Sequence, residues 1–311
     1  MQVYAAKHKD ENTRANSRSG GIFTALSDQF LSGGVVYGCV LDENWNAIHI
    51  RTTSVNKRNM MRGSKYIQSA MGDCFRQVKT DLEDGKDVLF SGTSCQIAGL
   101  RCFLQKEYSN LLCVDIVCHG VPSKRVWHKY LDWQSKGDKV IGVDFRNKTK
   151  YGWADHVETI KTEKREIDSR VFKNLFYGHN VLRPSCYECP YKSIHHPGDI
   201  TIADYWGIEK VAPELNDNKG VSLVLVNSQK GEEYFEKTKS EVEWKKTRIE
   251  DSMQPPLKAP FPRPITRDQF WKDFEEKDFS YIIKKYGGQI PMWRKAVRKA
   301  KRVIKKRMGK I

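Results

Sequence analysis

Two hydrophobic periods alternate along the chain, and the points where one gives way to the other mark its elements. Val3 to Ala6 reads as a short strand. Ser17-Arg-Ser-Gly-Gly21 then leads into Ile22, Phe23, Leu26 and Phe30, a helical spacing opened by a Ser/Gly turn. Gly34 to Val40 reads as a strand, with Ala47 to Thr52 expected to pair with it. Met60 to Gln68 has no clear period and reads as a functional loop. Gly72 to Leu82 is helical. Asp87 to Phe90 is a buried strand ending at Ser91-Gly-Thr-Ser-Cys95, followed by a helix from Gln96 to Leu104. Leu111 to Val117 is a second apolar strand, ending at Cys118-His-Gly-Val-Pro122, and Ser123 is expected to cap a helix through Trp133.

Strand, Gly/Ser/Thr turn and helix therefore occur twice in succession between Asp87 and Trp133. That is the βαβ signature of a parallel sheet covered by helices. Ligands in such sheets bind at the carboxyl ends of the strands, where Cys95 and Cys118 both fall. Val140 to Phe145 and His156 to Lys161 read as strands of a second unit, and Val171 to Gly178 as a short helix. Gly198 to Asp204 reads as a turn and a strand. Val221 to Val226 is a buried strand, followed by a helix from Lys230 to Lys239. Pro255, Pro256, Pro260, Pro262 and Pro264 make an extended linker before a helix from Asp268 to Phe274. No repeat of fixed period is present. The expected fold is α/β: a mainly parallel sheet flanked by helices over residues 1–135, and a second α+β unit with the cysteine loop over 136–250. A Pro-rich linker and basic helical tail follow over 251–311.

Composition narrows the class. With 311 residues, 39% hydrophobic and 11% aromatic, the chain can bury a core. No apolar run approaches the roughly 18 residues of a membrane span. The N-terminus lacks a basic-then-apolar leader profile, so a cytoplasmic location is expected. Eight cysteines are then poor disulfide candidates, and metal, cluster or core use is favoured.

Charge belongs to one end. Of the net +16, twelve positive charges lie after Asp278, where no acidic residue follows; the remainder carries +4. From Trp293, apolar residues at 293, 296, 297, 300, 303, 304 and 308 form a helical stripe, with Arg and Lys on the other face. Such a helix suits an anionic membrane, nucleic acid, an acidic partner such as a ferredoxin, or packing on the body. No specific nucleic-acid motif accompanies it.

The candidate chemistry centres on Arg183 to Gly207. Cys186-Tyr-Glu-Cys189, bracketed by Pro184 and Pro190, is half of a metal or cluster site. Zinc knuckle, redox dithiol and iron–sulfur site all remain open on these residues. A knuckle lacks its partner pair: His195 and His196 are adjacent, so only one can serve. Cys95 and Cys118, at strand ends, are the candidate remaining thiolates. Cys39, Cys74, Cys102 and Cys113 read as small core residues. The Ser19-Gly20-Gly21 turn and the Gly92-Thr93-Ser94 turn each offer backbone N–H groups at a helix start. With Arg62, Ser64 and Lys65 they make a candidate pyrophosphate cradle. Neither a G-x-G-x-x-G nor a Walker motif is present. His119, next to Cys118, is a candidate proton donor or cluster-tuning group, and Asp204 caps a turn or approaches a cofactor.

Six segments in order carry a resemblance: Ser17 to Phe23, Arg62 to Ser69, Phe90 to Leu100, Asp115 to Ser123, Arg183 to Cys189 and Asp199 to Gly207. Together they resemble the coenzyme F-420 hydrogenase/dehydrogenase β-subunit family, from the N-terminus to about Asn227. The resemblance implies an iron–sulfur flavoprotein oxidoreductase that moves electrons between FAD and a 4Fe-4S cluster, and it puts the cluster ahead of zinc. It implies Cys95, Cys118, Cys186 and Cys189 as cluster ligands. Ser19–Gly21, Arg62, Ser64, Lys65, Tyr66, Gln68, Thr93 and Ser94 would hold the flavin, with Asp204 beside them. The closely spaced cysteines of an N-terminal ferredoxin module are missing, since the first cysteine is Cys39. A separate ferredoxin or other electron carrier is therefore the expected partner, with a small-molecule, deazaflavin-type substrate. The competing reading is a non-catalytic, zinc-stabilised binding protein that docks through its basic tail.

Overall fold

The computed structural model describes residues 1–288. Its frame is an eight-stranded mixed sheet in the order β11-β1-β10-β9-β5-β4-β2-β3. The strands are β1 (Gln2–His8), β2 (Val35–Leu41), β3 (Ala47–Thr52), β4 (Val88–Thr93), β5 (Leu111–Ile116), β9 (Ile200–Asp204), β10 (Ser222–Val226) and β11 (Val242–Thr247). The four central strands β9, β5, β4 and β2 are mutually parallel. β10 runs against both β9 and β1, so β1 points the same way as the central four. The outer strands β11 and β3 run antiparallel to their neighbours. This sheet takes strands from both sides of residue 135, because the wholly buried Ser-Leu-Val-Leu-Val of β10 satisfies its apolar side chains only between two neighbours.

Strand periodicity divides the core. Tyr4, Ala6, Val36, Leu89, Leu112, Val114 and Val224 face one side, under helices α2 (Ile22–Asp28) and α10 (Gln229–Thr238). Val35, Tyr37, Val88, Phe90, Leu111 and Cys113 face the other, under α4 (Cys74–Glu83) and α5 (Ser94–Leu104). A smaller antiparallel sheet is formed by β6 (Val140–Asp144), β7 (Glu158–Thr162) and β8 (Glu166–Ser169). It packs through Phe145, Ile160 and Phe172 on Trp127 and Tyr130 of α6 (Lys124–Ser135). The helices α8 (Val171–Tyr177), α11 (Arg267–Glu276) and α12 (Phe279–Tyr286) close a further apolar cluster on the far side of α6.

Most expected elements occur within a residue or two of their sequence bounds. Four short helices have too few residues to show a period: α1 (Glu11–Ala15), α3 (Val55–Met60), α7 (Lys148–Tyr151) and α9 (Ile208–Val211). The loop expected at Met60 thus begins at the end of α3. Ser123 stands at the N-cap of α6, but its hydroxyl makes no capping bond. Cys95 is not at a strand end but in the first turn of α5, which Thr93 and Gln96 open with a capping box. The proline segment is not a free linker: Pro256 and Leu257 are buried, and Leu257 joins the core. Among the other cysteines, Cys74 and Cys113 are buried as expected and Cys39 is half-buried. Cys102, contrary to expectation, is exposed on the outer face of α5. No helix among the described residues is long and apolar enough to cross a membrane. The stripe expected from Trp293 onward lies outside the described residues.

Candidate functional site

Because β1, β2, β4, β5 and β9 share a direction, their carboxyl ends lie along one edge of the sheet. Those ends are His8, Leu41, Thr93, Ile116 and Asp204. The candidate segments gather there for separate local reasons. Gly20 accepts the N–H of His8 at 2.7 Å and gives its own N–H to the Ser222 hydroxyl at 2.9 Å. A side chain on Gly20 would bring its Cβ within 2.3 Å of the Ala6 carbonyl, so only glycine fits this close crossing. Ala70 exchanges backbone bonds with Ala47 and His49, at the start of β3, and so carries the 61–70 loop to the same edge.

The four cysteines come from three segments. Cys95 opens α5, Cys118 follows β5, and Cys186 and Cys189 sit around the tight turn Pro184–Glu188. The last two segments are stitched together: Ser123 N–H donates to the Val181 carbonyl at 2.8 Å and Arg183 N–H to Val121 at 3.0 Å. Gly120 turns with φ of 136°, a conformation that favours glycine, and a Cβ there would meet Leu182 at 2.9 Å. Lys192 donates to the His119 carbonyl at 2.6 Å, bringing an ammonium group to the thiols. Burial pushes the Cys118 thiol up to about 12, and the neighbouring Cys186 and Cys95 thiols add to that rise. Burial also raises Cys186. The Gly120 N–H opposes the rise at Cys118, the Val121 N–H opposes it at Cys186, and Lys192 opposes both. Cys95 is exposed and the other three are half-buried. No three His, Cys, Asp or Glu side chains among the described residues are drawn into ligating distance of one ion. The structure thus brings three thiol-bearing segments into one corner without closing a metal cage.

His119 is enclosed by aromatic rings. Its Nε2 lies 2.8 Å from His179 Nε2, and its ring packs against Phe176, Tyr177 and Phe261. Burial drives its pKa down to about 3, with the cations of Lys192 and protonated His179 disfavouring charge further. It is a neutral imidazole at neutral pH. Tyr66 extends this aromatic group, its ring packed at a tilt against His156 and Phe176.

At the end of β9, Asp204 is not a simple turn cap. It accepts Arg146 at 2.8 Å and the Trp153 indole N–H at 2.7 Å, with Arg18 at 3.9 Å. Arg18 reaches the carbonyls of Arg146 and Trp153, and its buried Nε faces Asp204 at 3.9 Å without a hydrogen bond. Lys148 donates to the carbonyls of Arg14, Ser19 and Lys219. Burial, with Arg18 and Arg14 adding repulsion, lowers its pKa to about 7. Trp206 stacks on Trp153 at 4.9 Å and leaves 39% of its surface exposed. Sequence reading missed Arg18, Arg146, Lys148 and the two tryptophans, because their common feature is a position in space rather than a spacing along the chain.

The expected cradle is only partly free to bind. The Ser19 hydroxyl is committed to the Val221 carbonyl at 2.7 Å, and the Gly20 N–H to Ser222. Lys65 folds back onto the carbonyls of Met60, Met61, Arg62 and Gly63, closing the end of α3. Burial lowers its pKa to about 8. Arg62 donates to Thr24 in the first turn of α2, beside Gly21, so these two expected groups do meet. Thr93 bonds Gln96 and lies 3.2 Å from the Cys95 sulfur, and Ser94 contacts His196. Ser64 is half-buried and Gln68 exposed.

Residues 85–252 match the model for the C terminus of the coenzyme F420 hydrogenase/dehydrogenase β subunit, and residues 3–75 match its N-terminal counterpart. No curated protein matches. Among solved structures, a chain of the F420-reducing [NiFe] hydrogenase complex from Methanosarcina barkeri, studied with xenon, shares the fold. Its TM-score is 0.54 at 17% identity, over 79% of this chain and 81% of that one.

Proposed function

The chain belongs to the coenzyme F420 hydrogenase/dehydrogenase β-subunit family and is an oxidoreductase of that type, and from that premise we propose that it is an iron–sulfur flavoprotein. In this reading electrons pass between FAD and a 4Fe-4S cluster, with a ferredoxin or other carrier protein on one side and a deazaflavin-type small molecule on the other. The observation that carries the proposal is the meeting of Cys95, Cys118 and the Cys186–Cys189 turn at the carboxyl edge. When bound, the cluster supplies one-electron relay and the flavin two-electron exchange.

The chain's own groups fit that load. Backbone N–H groups of Gly120 and Val121 and the Lys192 ammonium oppose the rise of the Cys118 and Cys186 thiols. Those same groups favour the anionic sulfurs that ligation requires. Cys118, held near 12 while free, releases its proton on ligation, so loading weakens as pH falls. Arg62 and the Arg18 Nε, which makes no hydrogen bond, suit an anionic pyrophosphate, and Trp206 and Tyr66 suit a flat ring. Ser19–Gly21 and Lys65 act in this scheme by shaping the cradle rather than by donating to the ligand. His119, neutral and caged by aromatic rings, holds its ring nitrogen beside His179, next to Cys118. The exposed Cys95 gives a carrier protein its approach.

Purification without air, an absorption spectrum, iron and sulfide assays and acid release of flavin test the proposal. A yellow-brown protein with bound flavin, iron and labile sulfide is expected, and Cys186→Ser is expected to lose most of its iron. A colourless protein holding one zinc, or full iron retention in Cys186→Ser, refutes it.

A further inference from the structure

One buried imidazole touches the segments that carry all four cysteines. His196 follows the Cys186–Cys189 turn, and its side chain is only 1% exposed. Its Nδ1 lies 3.1 Å from Asp115 Oδ2 and 3.1 Å from the Ser94 hydroxyl. Asp115 stands on β5 three residues before Cys118, and its side chain is fully buried. Ser94 directly precedes Cys95 at the start of α5. His196 lies 81 residues from Asp115 and 102 from Ser94 along the chain, so this contact is one place where the relative positions of the three segments are set together.

The bonding has an internal logic. Nδ1 can donate its proton to the Asp115 carboxylate while the Ser94 hydroxyl turns toward the Ile116 carbonyl, 3.5 Å away. Asp115 and Ser94 meet the same ring nitrogen, so the trio cannot work as a nucleophile relay, which needs one partner on each nitrogen. His196 Nε2 and Asp115 Oδ1 are buried and without partners. Buried polar atoms are rarely left so. A packing histidine has no need of a carboxylate on one side and an unused nitrogen on the other. Ligands of a cluster, in contrast, are regularly oriented by such groups behind them.

We propose that His196 is a positioning residue for the cluster, registering the Cys95 helix, the Cys118 strand and the Cys186–Cys189 turn through Asp115 and Ser94. The inference rests on the cluster reading above. Asn at this position returns an amide near Nδ1, and Gln returns one near Nε2, so the two variants separate the nitrogens. Leu removes both.

The experiment reconstitutes wild type, His196→Asn, His196→Gln and His196→Leu with iron and sulfide under argon. It then measures iron and labile sulfide per chain, the midpoint potential, and the lifetime of the visible absorbance in air. Wild type and Asn are expected to load alike. Leu and Gln are expected to hold iron about tenfold more weakly, with a shifted potential and a faster loss of colour in air. Circular dichroism reports folding for each; if Leu fails to fold, the Asn and Gln pair decides. Equal loading, potential and lifetime in Asn and Gln, or in Leu and wild type, overturns the inference. Failure of wild type itself to take up iron overturns the cluster reading on which it stands.

Discussion

Glu158 offers a sharp test of how the cysteine-bearing half is held. It lies on β7, 2% exposed, accepting Tyr130 O–H at 3.0 Å and the Phe172 N–H at 2.8 Å. It therefore holds the first turn of α8, which delivers Phe176 and Tyr177 to His119 and leads into the cysteine turn. Burial raises its pKa from 4.5 to about 7, against the hydrogen bonds, which lower it. The folded pKa thus exceeds the unfolded one. Its contribution is fully present below about pH 4.5, falls as pH rises toward 7, and is flat above. At 1.36 kcal/mol per pH unit, the loss across that window is about 3 kcal/mol. Glu158→Gln keeps an oxygen for both donors and cannot ionise. Denaturant unfolding of both proteins at pH 5, 6, 7 and 8 reads the difference. Gln is expected to match Glu within about 1 kcal/mol at pH 5 and to exceed it by about 3 kcal/mol at pH 8. A stability difference that does not change with pH refutes the reasoning.

Three further outcomes are expected. Asp204→Ala strands the Arg146 guanidinium and the Trp153 N–H, and should cost about 3–5 kcal/mol in denaturant unfolding; a loss below about 1 kcal/mol contradicts the network. Lys65→Ala should loosen the 60–65 turn and weaken retained flavin after dialysis while leaving iron content unchanged, and equal flavin in both proteins counts against the cradle. The intact protein should co-sediment with anionic vesicles, less so as salt rises, and removal of residues 293–311 should abolish that binding; no binding by the intact protein, or undiminished binding by the truncated one, rules out a membrane role.

What the sequence determined by itself is local. Apolar periods marked the long elements, since a strand or helix must turn one face to a core whatever surrounds it. The turn chemistry of Ser91–Cys95 and Cys118–Pro122 followed from two β–α units, and those units alone implied a shared edge for Cys95 and Cys118. Six short motifs were enough to indicate the family, because each motif is contiguous. Short elements were not legible: α3 and α7 are too brief for a period to accumulate. The sheet order was not legible either. β10 reads as a strand, but nothing within it specifies that it enters between β1 and β9, a pairing made over nearly the whole chain. The same limit hid the site's supporting cast. Arg18, Arg146 and Asp204 meet across separations of more than 50 residues, as do His196, Asp115 and Ser94. Buried ions and polar groups must find partners wherever the fold supplies them, so such clusters exist only once the backbone has brought distant segments together.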